Sequence, residues 1–156
     1  MQKILRLPEA TDCDTAGNDV ALIPQAQWLT DPDRAGAERS GVRVSPSDRV
    51  EDLAPHLARL ALVAIEFPGS GEGRGYTYAR LLRQRYGFKG EIRAVGPGVK
   101  QDLLFFMVRC GFDAFELAPG ENLTEARHAL QRFTLAYQPA VPRAAVRQPR
   151  FTAARG

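Results

Sequence analysis

The stretch Pro68-Gly69-Ser70-Gly71-Glu72-Gly73-Arg74-Gly75 places glycine at every second position and sets one acid near one base. Glycines let backbone N–H groups come close to an anion, and a helix starting behind them adds a favourable dipole. Tyr76, Tyr78 and Arg80 follow at once, and Arg93 comes from the next strand-like segment. A guanidinium at a helix start opposes the dipole, so Arg74 has two readings. In one it serves a bound anion or an acidic partner; a sulfite, sulfate or phosphate oxyanion suits guanidinium and amide donors. In the other, Arg74 and Arg93 pair inside the fold with Glu72, Asp102 or Asp113. The candidate anion- or partner-binding set is therefore Glu72, Gly73, Arg74, Gly75, Tyr76, Tyr78, Arg80 and Arg93, joined by Asp102 and Arg109. The loop matches neither common phosphate signature. It has no Gly-Lys-Ser/Thr ending, and its glycines miss the third position of a dinucleotide-binding turn.

Other chemistry is sparse. Cys13 and Cys110 stand in no CxxC or Cys/His cluster, and His56 and His128 are the only histidines. No metal site and no intrinsic cofactor are expected from that set. Cys110 falls on an apolar stripe, where a small buried hydrophobe is the simpler reading than a nucleophile. No Ser/His/Asp or Cys/His arrangement can be assembled, so no catalytic residue is named.

The elements that must position these groups alternate between strand and helix from Gly41 onward. Val42–Val44 suits a first strand, and Ser47-Asp48 with Glu51 suits a helix start with a capping-box acid. Val50, Leu53, Leu57 and Leu60 then recur at helical spacing, with Pro55 expected to kink or delay the helix. The apolar run 60–67 reads as a buried central strand. A helix over 76–86 is stopped by Gly87, Ile92–Val95 forms a strand, and a helix follows over 99–110. The segment 114–117 suits another strand, and 121 to about 136 a last helix. The fold class is thus α/β: a small, mostly parallel sheet of about four strand–helix units. Residues 1–40 read as an irregular N-terminal arm, 41–137 as a single domain and 138–156 as a flexible basic tail. Within the arm, 21–23 suits a short strand, and Trp28 suits an anchor on the domain or a cap over a partner site.

Leu103 to Val108 is six apolar residues in a row, so that helix is buried on most sides or docks a partner or a second copy. The net charge of +3 is uneven. Of 21 Lys and Arg, four lie in the acid-free tail, leaving 17 against 18 Asp and Glu elsewhere. A tail of this kind is solvated or meets an acidic partner; without interleaved aromatics it does not suggest a nucleic-acid groove. No apolar run reaches the roughly 20 residues of a membrane span, and no signal peptide is read at the N-terminus. A cytoplasmic protein is expected.

Three blocks carry a more specific signal: 71–83 (GEGRGYTYARLLR), 85–96 (RYGFKGEIRAVG) and 109–115 (RCGFDAF). Together they resemble the bacterial domain-of-unknown-function family 934, over Gly41 to Leu117. Members of that family are usually encoded beside the siroheme sulfite reductase and carry the label of an oxidoreductase of sulfite reduction. The resemblance implies a role in sulfur assimilation, as an accessory protein that associates with the reductase haemoprotein. The alternative is a small enzyme or reductase subunit that binds a sulfur oxyanion or nucleotide-linked sulfur compound at the glycine-rich loop. Two positions depart from the family pattern. Glu72 stands where an Asp is usual, and Gln101-Asp102 reverses the usual Asp-Gln order, turning the carboxylate by about 100° around a helix.

Overall fold

Short aliphatic and β-branched stretches, each followed by a turn and a helix-forming run, recur five times along the chain. The computed structural model describes residues 3–7, 11–14, 20–32, 40–131 and 140–141. Its strands are β1 (Lys3–Arg6), β2 (Thr11–Asp14), β3 (Ala21–Pro24), β4 (Ser40–Val44), β5 (Leu62–Glu66), β6 (Glu91–Val95) and β7 (Ala114–Leu117). Four α-helices accompany them: α1 (Gln25–Thr30), α2 (Arg74–Arg80), α3 (Leu104–Cys110) and α4 (Leu123–Gln131). A 3₁₀ helix, Val50–Arg59, follows β4, and α2 runs on into a π-type turn, Leu81–Arg85. None of the described helices is long and apolar enough to cross a membrane.

The strands form one sheet in the order β2-β1-β7-β6-β5-β4-β3. Strands β3 to β7 are parallel and adjacent in chain order, while β1 and β2 add antiparallel at the β7 edge. The sheet therefore reaches into the stretch read as irregular: three of its seven strands precede Gly41. The β3–α1 unit adds a fifth strand–helix repeat to the four expected. Alternation in 3–6 and 11–14 was masked by charge, since Lys3, Arg6, Asp12 and Asp14 interrupt the apolar residues.

Crossovers between parallel strands are right-handed, and each one here steps to the next strand in the same direction. All the helices must then lie on one face. Side-chain burial agrees. Leu5, Val42, Val44, Val63, Ile65, Ile92, Ala94, Phe115 and Leu117 form one core with Trp28, Val50, Leu53, Leu57, Ala79, Leu82, Leu104, Met107 and Ala126. The alternate strand positions Ile4, Leu62, Ala64, Val95 and Ala114 are also buried but stand outside that core. They belong to the second face of the sheet.

Local chemistry accounts for the departures from expectation. Pro55 lies inside the 50–59 helix, and its missing N–H removes an α-helical bond there. The expected capping box does not form: Asp48 turns back to accept the Ser45 N–H at 2.7 Å. α3 starts at Leu104 rather than Val99, because Gly98 N–H is held by Phe67 O at 2.8 Å and 97–103 turns instead of winding. Trp28 is buried and meets His56 edge-on at 5.1 Å, which ties α1 to the 3₁₀ helix. The basic tail lies outside the described residues except for Ala140 and Val141, and Val141 N–H bonds to Arg109 O at 3.0 Å.

Candidate functional site

The glycine-rich loop leaves β5 at its carboxyl end and enters α2, as its composition predicts. Its anion-binding position, however, is filled by the chain itself. The Glu72 carboxylate accepts the Arg74 N–H at 2.9 Å, at the first residue of α2. An acid here complements the helix dipole. The Arg74 guanidinium turns away and donates to Pro46 O at 2.9 Å. Tyr78 Oη donates to Asp48 O at 2.6 Å, so both side chains fasten α2 to the loop after β4. The glycines divide by role. A Cβ at Gly75 would lie 2.4 Å from the Phe67 ring, so Gly75 lets α2 close on the core, while Gly71 and Gly73 face open space. Gly98 fits for the same reason as Gly75, 2.5 Å from Gly69 O. Among the described strands no order reverses along β3–β7, so these strands open no switch-point crevice at their ends.

A second group gathers where α2 meets α3. The Tyr76 ring packs edge-on against Phe67 at 5.4 Å. Burial pushes the Cys110 thiol above its ordinary value, against the pull of Arg80 and Arg109. Burial likewise pushes up the Tyr76 phenol, helped by Cys110 and Asp102. A protonated, half-buried thiol suits packing better than nucleophilic attack. Arg109 stacks over Phe105 at 5.6 Å, and Phe106 beside it is 56% exposed. Along the outer side of α2, Thr77, Arg80, Leu81, Gln84 and Arg85 line a hollow of about 360 Å³. Gln101 turns inward with its Oε1 buried and unpartnered, while Asp102 is exposed. The Gln101-Asp102 order thus turns the amide inward and the acid outward.

Arg93 does not join these groups. It sits on β6 between Ile92 and Ala94, so it projects from the second face while α2 and α3 lie on the first. There Nε donates to Glu91 Oε1 at 2.8 Å, and Arg6 Nε meets Glu91 Oε2 at 2.9 Å. An arginine inside a strand is aimed at a face of the sheet, not at its end. Two arginines that pattern reading passed over also matter. Arg43 shares the second face, and Arg83 holds the fold together through Phe88 O, Gly90 O, Gly111 O and the Asp113 carboxylate. Gly111 closes α3 with φ +107°, and a Cβ there would meet Arg83 Cγ at 2.7 Å.

A family model described as a bacterial protein of unknown function (DUF934) matches residues 41–151. The chain belongs to the DUF934 family. A comparison with curated proteins finds no match. The DUF934 match runs past Leu117 and takes in most of the basic tail, which is therefore part of the family's common sequence. In this DUF934 protein the blocks that carry the resemblance are largely architectural. Gly75, Gly90 and Gly111 allow close approach, and Arg83 and Asp113 join the end of α3 to the start of β6.

Proposed function

We propose that this protein is a non-catalytic accessory protein of assimilatory sulfite reduction that associates with the siroheme sulfite reductase. The reading rests on the sequence resemblance, which implies a place beside that reductase. The observation that carries a docking role is Phe106, the only exposed large hydrophobic among the described residues. It stands on the helix whose six-residue apolar run suggests an interface, beside the Phe105–Arg109 stack. An aromatic anchor flanked by arginine is the composition of an interface hot spot. The self-filled position at Glu72 speaks against anion chemistry at the glycine loop.

Burying one phenylalanine contributes about 2–3 kcal/mol. Phe106→Asp is therefore expected to weaken reductase binding at least tenfold while leaving the melting temperature within a degree or two. A pull-down from the native host, with the visible spectrum of the eluate recorded, provides the test. Siroheme absorbance retained by the wild type and lost with Phe106→Asp supports the reading. No siroheme with either protein, or equal amounts with both, contradicts it.

A further inference from the structure

Residues 74–85, which form α2 and the π-type turn behind it, hold four arginines and no acid. Two of the four serve the fold. Arg74 donates to Pro46 O, and Arg83 joins the Asp113 carboxylate and three backbone carbonyls. Arg80 and Arg85 are exposed and have neither a hydrogen bond nor an ion pair among the described residues. Arg85 lies over the ring of its neighbour Tyr86, at 5.8 Å. On an α-helix, residues five apart stand about 140° apart around the axis. Here the Tyr86 N–H bonds to Leu81 O, five residues back, at 3.0 Å, and the wider turn carries Arg85 round toward Arg80. Both arginines therefore line one hollow of about 360 Å³, together with Thr77, Leu81 and Gln84. Turns of this kind interrupt helices most often at functional sites.

We propose that this hollow docks an acidic segment of a partner protein, with carboxylates on Arg80 and Arg85 and an apolar side chain on Leu81. All five lining residues come from one helical element, so the hollow is a groove that a chain segment can follow. Guanidinium forks match carboxylates. The two arginines are about 7 Å apart along the axis, and alternate side chains of an extended segment share that spacing of about 7 Å. Nucleic acid fits less well. Outside the tail, 17 Lys and Arg stand against 18 Asp and Glu, so no broad positive field surrounds the groove. No aromatic side chain lines it for base stacking either. Arg80 also acts on the Cys110 thiol, as Arg109 does, so the groove borders the helix that carries Phe106. The proposal rests on the docking reading only for who the partner is; the acidity of the docked segment stands on the arginines themselves.

Fluorescence anisotropy of a labelled Glu-Ala repeat peptide, titrated with the full chain at low ionic strength, tests the groove. A Gln-Ala repeat of equal length and an oligothymidylate of equal charge are the comparison probes. The Glu-Ala peptide should bind saturably and more tightly than either, and added salt should weaken it. Arg80→Gln combined with Arg85→Gln should weaken that binding about fivefold, each exposed pair contributing modestly. Both side chains are exposed, so the double variant should keep its melting temperature. Phe106→Asp should leave peptide binding unchanged, so failure of reductase docking and failure of the acidic groove read out separately. The proposal is overturned if the Glu-Ala peptide does not bind saturably, or if either comparison probe binds as tightly. It is equally overturned if the double variant binds like the wild type, which would put the peptide on the basic tail or elsewhere.

Discussion

Tyr76 and Cys110 share a half-buried seam between α2 and α3, and both hold their protons more tightly than usual. In the unfolded chain they ionise near their ordinary values of 10.0 and 9.0. Above pH 9 the unfolded state therefore sheds protons before the native state does, and stability falls as pH rises. Below about pH 8 both groups are protonated in both states and add no slope. Urea unfolding at pH 7.5, 9 and 10 should show this decline, and Cys110→Ala should make its onset shallower. An identical decline in both proteins would mean that the thiol is not shielded. The same residues show what spacing can reveal: Cys110 on an apolar stripe reads correctly as packing. Arg74 does not, because its acceptor, Pro46 O, is a backbone atom 28 positions away that side-chain types cannot announce.

Among the elements, β5, β6 and β7 lie within a residue or two of where their apolar runs place them, because strands buried on both faces leave an unbroken signal. The N-terminal strands lacked that signal, since charged residues alternate through β1 and β2 and pairing with β7 is a long-range event. Arg93 was legible as part of a strand but not as part of a face; only register shows that it lies between Ala64 and Ala114. Its pairing with Glu91 has a measurable consequence. Removing one partner of a mostly buried pair leaves the other charge uncompensated. Glu91→Ala should destabilise the protein by about 3 kcal/mol, since Arg6 loses one carboxylate contact and the buried Arg93 loses its counter-charge. Denaturant titration measures this directly, and a change below about 0.5 kcal/mol would show that the Glu91 pairing adds little to stability.

At the scale of the whole molecule, a sequential parallel sheet carries every described helix on one of its two faces. The helical side offers Phe106 and the Arg80–Arg85 hollow to a large partner. The other face carries Arg43 and Arg93 in one row and Glu66 and Glu116 in the next, among buried small residues. This division follows from chain order and crossover hand. The sequence shows the alternation of elements but not the strand order, so the separation of Arg93 from Arg74 emerges only in three dimensions. The proposed role is docking of a reductase on the helical side, without turnover. Sedimentation velocity of the purified full chain mixed with purified siroheme sulfite reductase haemoprotein, followed at the siroheme absorbance, tests it most directly. A faster haem-bearing boundary at micromolar protein, abolished by Phe106→Asp, is the predicted result. A haem boundary that the added chain leaves unchanged would contradict the account.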